Sequence, residues 1–251
     1  MSALVPKQIG ARHLLRSKNM KLHSLDRSRY APELLTRVAT GWRRLSSDER
    51  HGVLNAARVA ADLARLDAPP AILVLAAHVV QDEIHHLEVC ERVLDQLDPS
   101  TSATARLELA VAPTRPAADE SELARRLVTA FALGKPVTAA AFATARAQVR
   151  EPLFAWAYTE LLHDETRHAT FGAKAAAWVI RHWTTRQRQA LWTECLTSVS
   201  DIPTSMPSDP EAEALGLLPA HVDCTLPPWI LPHLAPLGMT PHPANDPAYV
   251  H

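Results

Sequence analysis

The chain has 251 residues, 47% of them apolar and 21% charged, which suits one ordinary globular domain with a sizeable core. A formal net charge of −1 leaves no basic excess for a nucleic-acid partner. Alanine is abundant, glycine is scarce, and β-branched and aromatic residues do not alternate, so the expected class is all-α.

Residues 1–31 read as a basic arm. Between Lys7 and Arg29 stand seven Lys or Arg residues and one acid, Asp26. Such a run reads first as a solvated helix face or loose terminus, and second as a contact for an anionic partner. It lacks the apolar core of a secretory signal, and its Arg-rich, acid-poor character is a feature of mitochondrial transit peptides. Cys90, Cys195 and Cys224 are odd in number and form no C-x-x-C pair, so a reduced, cytoplasmic setting is expected. No run reaches the roughly 18 apolar residues of a membrane span.

Residues 32–200 read as a helical bundle. A short helix from about Pro32 to Leu45 leads in. The next runs from about Ser47 to Leu66, where Ser46 and Glu49 fit a capping box and "DAPP" ends it. A further helix spans about Pro70 to Leu97. After a longer connection, another covers about Asp119 to Val149, with Gly134 and Pro136 inside it, where a kink or local unwinding is expected. The next begins at Pro152, a good first-turn residue, and reaches about Trp183. A fifth covers Thr185 to Ser198. The remainder, 201–251, is proline-rich ("DIPTSMPSDP", "TLPPWILPHLAP", "TPHPANDP") and carries Trp229, Ile230, Leu231 and Leu234, so it reads as an ordered wrap across the bundle.

Two helices contain D-E-x-x-H: Asp82, Glu83 and His86 in "QDEIHHLEVC", then Asp164, Glu165 and His168 in "HDETRHATFG". Glu and His three apart share one helix face and can reach one metal ion. With thirteen histidines, chance also supplies pairs such as Glu160 and His163. Helical phase separates them. Glu83 and His86 continue a stripe of Ile72, Ala76, Val79, Cys90, Val93 and Leu97. Glu165 and His168 continue Phe154, Ala157, Leu161, Gly172, Ala175 and Val179. Both stripes are apolar, whereas the Glu160 and His163 stripe runs on through Arg167, Thr170 and Lys174 toward water. A buried carboxylate beside a buried imidazole needs compensation, which either a metal ion or a satisfied Glu–His hydrogen bond supplies. His85 and His163 lie off the core stripes.

On these motifs the chain resembles the ferritin-like di-iron carboxylate superfamily from roughly Ser46 to Trp183. That family carries one Glu on each of two helices and Glu-x-x-His on each of the other two. The resemblance implies a ferritin-like four-helix bundle with an additional helix and the proline-rich wrap. It implies iron, one or two ions, or manganese, and oxygen-dependent redox chemistry on a small organic molecule. Glu49, Glu83, His86, Glu165 and His168 are the implied ligands. Glu49 also reads as a mere capping residue. Where a fourth Glu is expected, about thirty residues before Glu165, stands Lys135, on the stripe Phe131, Thr138, Phe142, Ala145 and Val149. Glu122 is about 20 Å away along the helix, and Glu151 is similarly far from Glu165.

Charge counting shows what a lysine there does. Two divalent ions among four carboxylates sum to zero. With three carboxylates and an ammonium, one ion gives zero, and low dielectric favours that arrangement. Other readings stay open: a neutral Lys135 acting as base or nucleophile in a non-redox enzyme, a Lys135 that snorkels outward, or a metal-free binding protein. A homodimer is also open.

Overall fold

The computed structural model describes residues 24–99, 116–200, 208–220 and 230–238, the side chains of 198–200 excepted. Most of the basic arm, the 100–115 connection, Cys224, Trp229 and the rest of the tail lie outside them. Among the described residues the chain is all-α. The long elements are α1 (Pro32–Arg65), α2 (Pro70–Leu97), the run α3 (Glu120–Arg126), a π-helical turn (Leu127–Leu133) and α4 (Gly134–Gln148), and then α5 (Pro152–Val179). Helix α6 (Thr185–Ser200) and the short α7 (Pro210–Leu215) and α8 (Leu231–Leu234) follow.

Proline opens α1, α2 and α5 in the first turn, where its missing N–H is not needed. The α1–α2 and α4–α5 connections are short, so these neighbours run antiparallel. Contacts agree: Glu49 and Gly52 of α1 meet His86 and Glu83 of α2, and Phe142 and Phe131 meet Tyr158 and Phe171 of α5. Helices α2 and α5 are also antiparallel, with Asp82 against His168 and His85 against Glu160.

Three sequence expectations need correction. The break expected between Leu45 and Ser47 does not exist: α1 is one helix of 34 residues. Its buried positions (Leu35, Val38, Trp42, Leu45, Glu49, Ala56, Val59, Leu63) keep helical phase straight through Ser46, and no Gly or Pro interrupts them there. Ser46 is therefore mid-helix, and Glu49 is not a capping-box residue. Helix α5 ends at Val179, short of Trp183. Finally, the run Glu120–Gln148 is long and apolar enough, by length and composition, to cross a membrane. It packs against α5 along its length and its π-helical face is buried, as in a core helix.

Around Pro136 the backbone does not simply kink. A proline ring collides with the carbonyl four residues earlier in a regular helix. Here the preceding turn widens, and the Gly134 N–H reaches back to Thr129 O, five residues away. The bulged turn sits against Gly172 of α5. A Cβ there would meet Phe131 Cβ, lie 2.6 Å from Ala132 N and 2.9 Å from Leu127 O. Two of these three are backbone atoms.

The described part of the tail packs on the bundle at both ends. Ile230, Leu234 and Leu237 join the core formed by α3, the π turn, α5 and α6, while Ala212 and Leu215 join the other end. After α7 the backbone turns at Gly216 (φ 148°), a conformation that favours glycine. The Gly216 carbonyl accepts hydrogen bonds from Trp42 Nε1 (2.8 Å) and Tyr158 OH (2.9 Å).

The tight π-turn contact gives a direct test. Gly172→Ala should destabilise the protein by about 1–3 kcal/mol through overpacking against backbone, read by equilibrium urea unfolding. Wild-type stability would mean that α5 and the π turn are not so closely apposed.

Candidate metal centre

The apolar core is not continuous. It divides into two clusters, and the division falls at the same level in every long helix. On α1 one cluster ends at Leu45 and the other begins at Ala56. On α2 the boundary lies between Val79 and Val89, on α5 between Leu161 and Ala169, and on the π–α4 run between Leu133 and Phe142. The side chains filling that layer are Glu49, Glu83, His86, Glu165, His168 and Lys135.

The glutamates and histidines are buried, and the Lys135 side chain is 14% exposed. His86 Nδ1 lies 3.5 Å from Glu49 Oε2 and 3.9 Å from Glu165 Oε1. His168 Nδ1 lies 3.2 Å from Glu83 Oε1 and 3.8 Å from Glu165 Oε2. The two imidazole rings are 5.6 Å apart. Lys135 does not snorkel to solvent: its Nζ is 2.7 Å from Glu83 Oε1 and 3.5 Å from Glu165 Oε1. The side chains of Glu49, Glu83 and His86 offer ligand atoms that all lie within 4.8 Å of one another.

Two aspartates and an arginine stand behind the layer. Asp82 Oδ2 accepts from Arg167 Nε at 2.9 Å and faces His168 Nε2 at 3.2 Å. Arg167 Nη2 also donates to Asp164 Oδ1 at 2.7 Å. Arg167 thus ties the aspartate of one D-E-x-x-H motif to that of the other. Asp82 takes the Nε2 side of His168 and leaves Nδ1 turned to the glutamates, the orientation a ligating imidazole needs.

Lys135 pairs with Glu83 Oε1 and Glu165 Oε1. Glu83 Oε2, both ring nitrogens of His86, Glu165 Oε2 and His168 Nδ1 are buried without a hydrogen bond. Orphaned buried polar atoms are costly and rare. Their concentration in one layer, as carboxylate oxygens and imidazole nitrogens, fits a cation held among them. The bland alternative of two satisfied Glu–His pairs does not match these orphan atoms.

Without an ion, protons and Lys135 hold the charges. Burial pulls the Lys135 ammonium toward neutrality, but Glu165, Glu83 and Glu49 outweigh it and hold the amine protonated, well above the usual lysine range. Burial pushes Glu83 up, yet Lys135 and the two imidazoles carry it below the usual carboxylate range. Burial raises Glu165 despite Lys135, His168 and His86. Burial opposes protonation of His168, but the Asp82 and Glu83 carboxylates lift it to about 9. Glu49 and Glu165 similarly raise His86 against burial. A metal ion must displace such protons to bind.

The other candidates stay outside this layer. His85 Nε2 pairs with Glu160 at 3.2 Å, and His163 is 55% exposed. Glu122 bonds Arg126, and Glu151 accepts from Tyr30 OH, so neither supplies a fourth carboxylate. The role of Gly52 gives no signal in the sequence. A Cβ at Gly52 would strike Glu83 Oε2, so the missing side chain is the space in which that carboxylate sits.

The raised imidazole predicts a pH dependence. His168 is held at about 9 in the folded, metal-free protein against an ordinary 6.5. Its contribution, on the order of 3 kcal/mol, is fully present below pH 6.5 and lost as pH rises through about 9. Chemical unfolding of metal-free protein across that range should show the fall, and His168→Gln should flatten it. An equal fall in both would assign the dependence elsewhere. No protein-family model, no curated protein and no solved structure matches the chain, so this geometry and the motifs themselves carry the functional reading.

Proposed function

We propose that the chain is a ferritin-like, metal-dependent oxidoreductase that uses iron and oxygen on a small organic substrate. The observation that carries this is the layer of orphaned ligand atoms: five buried atoms without a hydrogen bond on Glu83, His86, Glu165 and His168, with Glu49 closing the group. Imidazole nitrogen with carboxylate oxygen suits iron, and manganese would meet the same donors. When bound, such an ion supplies one-electron chemistry with oxygen.

The chain's own residues do the rest. Glu49, Glu83, His86, Glu165 and His168 hold the ion, and Asp82 with Arg167 fixes the His168 ring. The two apolar clusters close the layer from both ends and keep bulk water from it. Lys135 reaches the layer from α4. Its ammonium takes the charge role that a second divalent ion has in a four-carboxylate site, so the ligand set favours one ion. At 14% exposed it is the most solvent-accessible of the six, and its ammonium can donate a hydrogen bond within the layer.

One observation favours a second reading. The Lys135–Glu83 pair at 2.7 Å already compensates the most central carboxylate without any metal, as in a metal-free binding protein or an enzyme that uses the lysine itself. Elemental analysis of anaerobically iron-loaded protein separates these: one iron per chain is expected. Protein that takes up no metal sinks the proposal. Borohydride trapping of the lysine with a carbonyl compound would then point to the lysine enzyme. Lys135→Glu should raise stoichiometry toward two. An unchanged value in a folded variant would mean that Lys135 does not set the ion count.

A further inference from the structure

We propose that Lys135 is a charge filter: its ammonium shifts the layer's preference from trivalent toward divalent ions. The inference rests on the metal reading above and concerns the charge of the ion, not its presence.

The geometry is direct. Lys135 Nζ touches two of the implied ligands, 2.7 Å from Glu83 Oε1 and 3.5 Å from Glu165 Oε1. Any ion gripped by those carboxylates shares them with the ammonium. The side chain is 14% exposed, so solvent screens the pair weakly. Apolar clusters lie on both sides of the layer along the bundle.

Charge then decides. With neutral imidazoles, Glu49, Glu83, Glu165 and Lys135 sum to −2. A divalent ion brings these groups to zero and a trivalent ion to +1. Asp82, Asp164 and Arg167 add a net −1 behind the ligands, which favours higher ionic charge, but they are the same in wild type and in a Lys135 variant, so they cancel in that comparison. What differs between wild type and a neutral Lys135 variant is the repulsion between the ammonium and one extra unit of ionic charge. For charges about 4 Å apart at an effective dielectric near 20, that repulsion is worth roughly three decades of affinity. Partial exposure reduces it, leaving an expected effect on the order of 100-fold. A glutamate at this position would act in the opposite sense, so the substitution alters which oxidation state the layer stabilises as well as how many ions it holds.

Zn2+ and Ga3+ test this cleanly, because both are closed-shell, redox-silent ions of similar size that differ in charge. Their affinities for the full chain would be measured by competition against a chelator, in wild type, Lys135→Gln, Lys135→Met and Lys135→Arg, with helicity checked by circular dichroism. The proteins would be refolded with Zn2+ present, so that the neutral variants do not carry unpaired buried carboxylates. We expect either neutral variant to shift the Ga3+ to Zn2+ affinity ratio toward Ga3+ by about 100-fold, and Lys135→Arg to keep the wild-type ratio. Ion binding with the same ratio in wild type and a neutral variant overturns the filter while leaving the metal reading intact. Failure of wild type and variants to bind either ion overturns the metal reading and the filter together.

Discussion

Anionic oxygen cannot be placed in an apolar interior without positive charge to meet it. Glu49, Glu83 and Glu165 are buried in one layer of the bundle, and the structure around them is organised by that demand. Lys135 faces them from α4, and His86 and His168 from α2 and α5. Asp82 and Arg167 then hold one of the imidazoles from behind. A single removal from this set leaves an uncompensated charge in a low-dielectric site, which is why the layer behaves as a unit.

The backbone is bent to that purpose. Pro136 and the widened turn before it place Lys135 on the inner side of α4, where its long side chain reaches past the helix surface to Glu83. Gly172 lets the widened turn press against α5, and Gly52 clears the volume that the Glu83 carboxylate occupies. Each is a place where the local rule of helix formation is relaxed beside the layer. Elsewhere the helices follow propensity and phase closely.

Much of this was legible in the residues themselves. The all-helical class follows from composition, the starts of α2 and α5 from their prolines, and the inward stripes bearing Glu83, His86, Glu165 and His168 from spacing, because a side chain's face on a helix is fixed by its position. Lys135 announced itself as a cation on an apolar stripe. What spacing could not provide was continuity: Ser46 and Glu49 imitate a helix start, and only the unbroken burial of α1 on both sides shows otherwise. Nor could it provide the wide turn, which depends on how Pro136 is accommodated against Gly172 of another helix. In the Asp82–Arg167–Asp164 bridge, the Arg167–Asp164 arm is a local pair three residues apart and is readable from spacing, whereas the Asp82 arm spans 85 residues and is not. The ferritin-like likeness remains a reading of motifs and of the site.

The carbonyl at Gly216 reaches further than its place in the tail suggests. It grips Trp42 and Tyr158, each seven residues, or about 10 Å of helix, before a buried glutamate of the polar layer: Glu49 on α1 and Glu165 on α5. One oxygen of the C-terminal region thereby acts as a crosspiece between the two helices whose carboxylates approach His86 from different sides. The gauge of the buried polar layer is in part set from outside the helices that form it.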